Sequence, residues 1–382
     1  MKPKILIFID WYKPGFKAGG PIRSISNLVN YLSDKLDIYI ITRDTDYLET
    51  EPYKSVLSNQ WNKIDAISVY YLSETNINYK KIKSLIKEVN PVTIYCNSLY
   101  SLYFSLIPLY LSKKNNIKSI LAVRGMLSEG SLNVKSTKKK IFLILSKAIG
   151  LFKNCTFQAT NKSEKKDIEN NLGKRYNIKI AQNLPEKKQI DFHRKQKNQN
   201  TLNLFFIGRV APEKNTLYAL EALKNVTQKV TFDIYGPIYS NDYWNKCKTT
   251  INQLPPNIVV NYKGVLNHQL IDKTLKNYHV LFLPSTGENF GHAIIEAMIN
   301  SCIPLISDRT PWCNLETKKI GFDISLKDSN LFAKTIDKLA IMGDAELNVF
   351  TKNAHQYAVD IINDKKLIED YYKLFHLTNL DG

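Results

Sequence analysis

Two glutamates, Glu288 and Glu296, stand eight residues apart in the stretch GENFGHAIIEAM (287–298), which follows the apolar run VLFLPS. A carboxylate in the loop at a strand end can accept hydrogen bonds from sugar hydroxyls. A second carboxylate, about two turns along a helix predicted to begin near Phe290, suits a vicinal diol, which offers two donors to two acceptor oxygens. The amides around Asn289, Phe290 and Gly291 lie between the two acids, at the helix start, where the free N–H groups and the helix dipole favour an anion such as phosphate. A plainer reading stands beside this one. Ser285-Thr286-Gly287-Glu288 fits a capping box, and Glu296 fits a solvent-facing helix position. Phe290, Ile294, Ala297 and Met298 share one helical face, as a helix packed on a sheet requires.

A second cluster lies in LFFIGRVAPEKNTLYALEAL (204–223). A strand is predicted to end at Gly208, a loop carries Arg209 and Lys214, and a helix begins near Asn215. Two cations between a strand end and a helix start can meet a diphosphate without a metal; as surface charges they would instead simply be solvated. Asp44-Thr45-Asp46 has the Asp-x-Asp form that can hold a divalent ion. It follows the second strand of the first half, away from the other anion signals, so a loop role is expected and no metal site is assigned. His193, His268, His292 and His355 show no metal spacing, although His292 lies in the stretch assigned to the site. The five cysteines form no CxxC pair and read as reduced thiols.

These residues need a scaffold that brings strand ends and helix starts together. Short β-rich runs alternate with helical periodicity through both halves of the chain: ILIFID, DIYIITR, ISVYYLS, VTIYCNS, SILAVRG and CTFQAT, then LNLFFIG, VTFDIYG, NIVVNYKG, VLFLPS and IPLISD. Ile22, Ile25, Leu28, Val29 and Leu32 fall on one face of a helix with Pro21 in its first turn. Helices between apolar strands imply an α/β fold with parallel sheets covered on both faces. The basic, polar stretch 186–200 reads as an interdomain linker, leaving a Rossmann-like doubly wound domain over 1–185 and another over 201–357. Two such domains facing one cleft would gather ligands at their strand ends.

At 382 residues the chain is long enough for two buried cores, and 44% hydrophobic residues mark it as globular. With 53 Lys+Arg against 35 Asp+Glu, the net charge of +18 favours anionic partners. No helix-turn-helix, zinc or aromatic RNA-reading motif accompanies that charge, so a nucleic-acid-binding protein is the weaker alternative. The N-terminus lacks a secretory apolar run and no segment approaches a membrane span, so a cytoplasmic location is expected.

GRVAPEKN, SxxGENFGHAIIEAM and PLISDRTPW together resemble the C-terminal domain of family-4 retaining glycosyltransferases of the GT-B fold, and FIDWYKPGFKAGGPIRSISNLVNYL (8–32) is similar to the N-terminal domain of that family. AVRGMLSEGSL (122–132) resembles a branch associated with bacterial surface-polysaccharide assembly. The resemblance implies transfer of a sugar, with retention, from a nucleotide diphosphate sugar, UDP-linked, to a saccharide acceptor that can be lipid-linked. It implies no cofactor and no metal. By this resemblance Arg209 and Lys214 neutralise the donor diphosphate, Glu288 sits near the transferred sugar and Glu296 binds ribose. Gly19 and Gly20 form the loop whose backbone approaches the phosphates, and Gly208, Tyr235, Gly236, Gly264 and Val265 line the nucleotide pocket. A C-terminal helix, about 358–382, crosses back to the first domain. Arg124 departs from the family pattern, which often has a histidine there. A guanidinium cannot act as a base, so Arg124 is expected either to bind an acidic sugar or phosphate or to form an ion pair closing the cleft. An epimerase on the same fold is the alternative enzyme.

The segment KSTKKKIFLILSKAIGLFKN (135–154) has Ile141, Ile144, Leu145, Ala148, Leu151 and Phe152 on one stripe flanked by lysines. Packing of that stripe on the domain's own sheet is the favoured reading. The alternative is a helix lying on an anionic membrane surface, which would make the protein peripheral on the inner face of the plasma membrane.

Overall fold

The computed structural model describes residues 2–128, 132 and 136–377. Part of the AVRGMLSEGSL signature (129–131), Lys135 and the end of the C-terminal segment (378–382) lie outside the described residues. The chain divides into two compact units, Met1–Lys187 with Asp364–Gly382, and Lys188–Asn363.

The first unit is built on an eight-stranded sheet of β1 (Lys4–Phe8), β2 (Asp37–Arg43), β3 (Trp61–Ile64), β4 (Ile67–Leu72), β5 (Thr93–Cys96), β6 (Lys118–Ala122), β7 (Cys155–Ala159) and β8 (Asn177–Ile180), in the order β3-β4-β2-β1-β5-β6-β7-β8. All neighbours run parallel except β3 and β4. The helix Gly20–Leu32 buries Ile22, Ile25, Leu28, Val29 and Leu32, the face its periodicity predicts. The last helix, Lys365–Phe375, packs into this unit. Tyr371 is buried and its hydroxyl accepts Gln158 Nε2 at 3.0 Å, while the Phe375 ring lies 5.8 Å from that of Tyr95.

The second unit has β9 (Thr201–Ile207), β10 (Lys229–Tyr235), β11 (Ile258–Gly264), β12 (Val280–Leu283), β13 (Ile303–Ser307) and β14 (Phe322–Ile324), in the all-parallel order β11-β10-β9-β12-β13-β14. β12 and β13 are buried at every position, as strands covered on both faces must be. The chain moves outward one way from β9 to β11, then restarts on the other side at β12. Helices leaving β9 and β12 therefore diverge to opposite faces and open a crevice at their carboxyl ends.

The polar stretch 186–200 contains no helix or strand, yet it is not loose. From Lys188 it belongs to the second unit. Lys195 is only 3% exposed, and its Nζ donates to Leu275 O at 2.9 Å. The ammonium thus joins the Tyr278 N–H on the carbonyl at the end of the short helix Ile271–Leu275. Asn348 ties down the backbone of Lys195 through both its amide groups, at 2.8 and 2.7 Å.

Candidate functional site

The crevice between β9 and β12 receives the loops that follow those strands. After β9, Gly208 meets the turn after β10 at close quarters. Gly236 has φ 142°, and a Cβ there would lie 1.8 Å from Gly208 O. Gly236 must therefore lack a side chain for the loops to cross. Gly208 N donates to Tyr235 O and Gly236 N to Gly264 O, at 3.0 and 2.8 Å. Gly264 adopts φ 71°, and Val265 beyond it is exposed. The Tyr235 side chain does not face this edge. It is buried, and its hydroxyl lies 2.7 Å from that of Tyr278, which donates to Asp233 Oδ2 at 2.6 Å. Burial and the Asp233 charge drive the Tyr278 phenol far above its usual pKa. Tyr235 can therefore offer the crevice its backbone only.

Both predicted cations are present, and both already hold a carboxylate. Arg209 Nη2 lies 3.0 Å from Glu213 Oε1, with its guanidinium 5.8 Å from the Tyr239 ring centroid. Lys214 Nζ lies 2.6 Å from Glu288 Oε1. The second pair joins the loop after β9 to the loop after β12, across the crevice. Glu288 is held there from behind, since its N–H donates to Arg309 O at 3.2 Å. Thr286 fixes the same loop by donating both N–H and hydroxyl to Glu213 O, at 3.0 and 3.1 Å. Such pairs gain little net energy on their own, because desolvation offsets attraction in the sheltered Lys214–Glu288 pair and solvent screens the more open Arg209–Glu213 pair. They do hold each cation beside an acid, ready to exchange partners with a ligand.

The helix after the loop runs from His292 to Ile299, beginning two residues later than its periodicity suggests. Gly291 takes the N-cap with φ 79° and no side-chain cap bond. The capping-box reading of Ser285 and Glu288 is thereby ruled out, because neither residue is at a helix start. The Phe290 ring is buried against those of His292, 4.8 Å away, and Trp312, 5.5 Å away, and the Trp312 indole N–H donates to Phe290 O. That carbonyl anchor, from the loop after β13, sets the conformation of residues 289–291, and Asn289 stays half-exposed beside it. Glu296 is 4% exposed, with its Oε1 3.9 Å from His268 Nε2. It is thus not the solvent-facing helix residue of the plainer reading.

The first unit has its own crevice, between β1 and β5. Gly19, with φ 69°, caps the helix Gly20–Leu32, and a Cβ added at Gly19 or Gly20 would meet nothing within 4 Å. Asp46 shapes the loop before it, accepting Phe16 N at 3.0 Å and Tyr47 N at 2.7 Å, while Asp44 accepts Ser58 Oγ at 2.6 Å. Both carboxylates of the Asp-x-Asp pair thus have loop-organising partners. Asp10, which ends the first predicted strand, was not singled out from the sequence. It accepts Ser101 Oγ at 2.9 Å and lies 3.8 Å from Arg43 Nη2. Burial raises its pKa, and Ser101 and Arg43 oppose that shift.

Arg124, in left-handed conformation at φ 58°, faces only neutral groups in its bonds. Nε donates to Asn97 Oδ1 at 2.6 Å, Nη2 to the Tyr95 hydroxyl at 2.9 Å, and Nη1 to Asn183 Oδ1. The ion pair expected of it is replaced by a polar hub. Tyr95 donates onward to Gln158 Oε1 at 2.5 Å, and Gln158 to Tyr371 of the last helix.

Residues 187–357 match the family model described as glycosyl transferases group 1. The second unit belongs to this family. The group 1 unit is the part that carries both ion pairs of the β9–β12 crevice. Among curated proteins, the chain is 26% identical over 184 residues to the UDP-Gal:alpha-D-GlcNAc-diphosphoundecaprenol alpha-1,3-galactosyltransferase of Escherichia coli, covering 46% of each chain. It is 25% identical over 230 residues, 56% of its length, to the GtfA subunit of the UDP-N-acetylglucosamine–peptide N-acetylglucosaminyltransferase of Streptococcus agalactiae, covering 44% of that protein. The matches thus span less than half the length of these curated relatives. Among solved structures, Anabaena HepE in complex with UDP and glucose superposes with a TM-score of 0.73 at 15% identity, covering 98% of this chain and 99% of that one. The fold is that of the GT-B glycosyltransferases, a doubly wound unit followed by the group 1 unit.

Proposed function

We propose that this protein is a retaining glycosyltransferase that moves a sugar from a UDP-sugar to a saccharide acceptor, lipid-linked, in the assembly of a bacterial surface polysaccharide. One observation carries the reading: the Lys214–Glu288 pair bridges the β9–β12 crevice of a group 1 unit, with Arg209 on the same loop. A donor diphosphate entering there draws Lys214 and Arg209 away from their carboxylates. Glu288 is then released to accept hydrogen bonds from the transferred sugar, and Glu296 to accept those of the ribose. The amides at Asn289, Phe290 and Gly291 supply donors to phosphate oxygens. Gly208, Gly236, Gly264 and Val265 shape the nucleotide end.

Two fixed cations can stabilise charge on the departing UDP without a metal. In same-face substitution, the acceptor hydroxyl oxygen bonds to the anomeric carbon as the bond to the β-phosphate oxygen breaks. The released phosphate takes the hydroxyl proton. Glu288, released from Lys214, is taken up by the hydroxyls of the transferred sugar, which favours this route over double displacement. The UDP and lipid-linked parts of the reading draw on the E. coli relative, named for UDP-Gal and a diphosphoundecaprenol-linked acceptor, and on the HepE complex.

The test is calorimetric titration with UDP, GDP and ADP in EDTA, with Glu296→Ala in parallel. The expected result is micromolar binding of UDP alone, weakened at least about tenfold by the variant. Failure of every diphosphate to bind at millimolar concentration would overturn the reading. Anomeric NMR of the product, formed in EDTA, checks retention and metal independence.

A further inference from the structure

Of the stripe expected to pack on the sheet, Leu151 and Phe152 are buried as expected, but Ile141, Ile144 and Leu145 face outward. In the helix Ser136–Ala148 and the turn after it, Ile141 is 52% exposed, Ile144 66%, Leu145 58% and Ile149 63%. Leu143 and Ser146 are the buried positions instead, and the Phe142 ring packs 5.2 Å from that of Tyr100. The spacing of the exposed four is i, i+3, i+4, i+8, a continuous aliphatic ridge along one helix face. The neighbouring helix Ile107–Lys114 adds Tyr110, 46% exposed, and is fastened alongside by Lys113 Nζ, which donates to Ile149 O and Gly150 O at 3.0 Å each.

A cavity of about 700 Å³ elsewhere, in the second unit, is edged by strand starts remote from the loops described above. A different cavity, of about 540 Å³, opens at the end of the ridge, where Lys147 and Gly150 form part of its wall. Its charged lining is Lys147, Lys153 and Arg175, with no carboxylate. The sequence around it is one-sided too, since residues 130–163 contain seven lysines and no aspartate or glutamate.

From this juxtaposition we propose that the ridge Ile141, Ile144, Leu145 and Ile149 lies in the interface of an anionic phospholipid bilayer, and that the cavity beside it receives a phosphate-bearing lipid headgroup. The inference rests on the glycosyltransferase reading only in that a lipid-linked acceptor gives the contact its purpose. Exposed aliphatic side chains bordered by lysines match both layers of such a surface: acyl chains take the ridge, and headgroup phosphates take the cations. A second copy of this chain fits poorly, because pairing two ridges would bring lysines together with no carboxylate in the segment to meet them.

The experiment is flotation of the full chain on phosphatidylcholine vesicles with and without phosphatidylglycerol, with UDP titration of each preparation. Wild type is expected to float only with phosphatidylglycerol, and less as salt rises. Ile144→Asp with Leu145→Asp should weaken flotation at least about tenfold. Lys147→Gln with Lys153→Gln should weaken it roughly fivefold per lysine. Both double variants should bind UDP as wild type does, which also shows that they fold. No flotation on anionic vesicles, equal flotation on neutral ones, or unchanged flotation of the ridge variant would overturn the proposal. So would a wild-type dimer that the ridge variant converts to monomer. Loss of UDP binding by wild type with flotation intact would strike the glycosyltransferase reading instead.

Discussion

The carboxyl edges of the two sheets handle positive charge in different ways. In the second unit, Arg209 and Lys214 face charged partners, Glu213 and Glu288, in the segments that follow β9 and β12. In the first, Arg124 is bound on three nitrogens by the neutral groups of Asn97, Asn183 and Tyr95, within a hub that reaches the last helix. An ion pair between loops can open when a stronger anion arrives. A guanidinium enclosed by neutral acceptors has no competing charge to give up, and its removal leaves several buried polar groups unmet. The first arrangement suits ligand exchange, and the second suits architecture.

The largest expected effect tests the first half of that contrast. Lys214→Ala and Glu288→Ala should each lower the turnover of sugar transfer by a factor on the order of 10²–10³ with the fold intact, measured as UDP release. Arg124→Met should do the reverse, costing about 2–4 kcal/mol of stability in denaturant unfolding while leaving UDP affinity near wild type. A folded Arg124→Met protein with transfer abolished would return Arg124 to the chemistry and break the comparison.

Two glycines sharpen it. Gly236→Ala should destabilise the second unit by at least about 2 kcal/mol, because its φ of 142° and the Gly208 carbonyl leave no room for a methyl group. Gly20→Ala has open space around it and should leave the melting temperature within about 2 °C of wild type. If Gly20→Ala nevertheless weakens UDP binding, the methyl group is meeting a ligand and not the protein.

The smallest effect is one of pH. His279 is buried and neutral, with Nδ1 accepting Asn203 N at 3.0 Å and Nε2 opposite Gln196 O. Burial pulls its pKa below the usual 6.5. Its contribution to stability is therefore complete above the unfolded-state pKa and is lost as pH falls through the lower folded-state value. Melting temperature should decline from about pH 6.5 downward, and His279→Gln should flatten that slope.

The strands that escaped the sequence reading share a cause. β3, β8 and β14 each lie at a sheet edge. Their sequences, WNKI, NIKI and FDI, are short and only partly covered, with no fully buried run to betray them. Interior strands such as IPLIS are apolar throughout because helices cover both faces. The site divided similarly. Arg209, Lys214, Glu288 and Glu296 were legible because their residue types stood out beside strand ends and helix starts. Glu213 was not, since a carboxylate in a loop looks like any solvated charge until its partner is placed. Asp10 was missed for the opposite reason, being read as the end of its strand.

Local sequence thus determined the alternation of strands and helices, the doubly wound class and the chemical types gathered after β9 and β12. Those follow from periodicity and from the backbone needs of glycine, which act over a few residues. Tertiary structure alone decided who pairs with whom and which way a face points. Lys214 meets an acid 74 positions away only because β9 and β12 are neighbours. The periodicity of residues 141–149 defines a stripe, but a helix can turn that stripe toward its sheet or away from it. Packing of Leu143 and Phe142 on the first unit settled the direction, and the ridge was left outside.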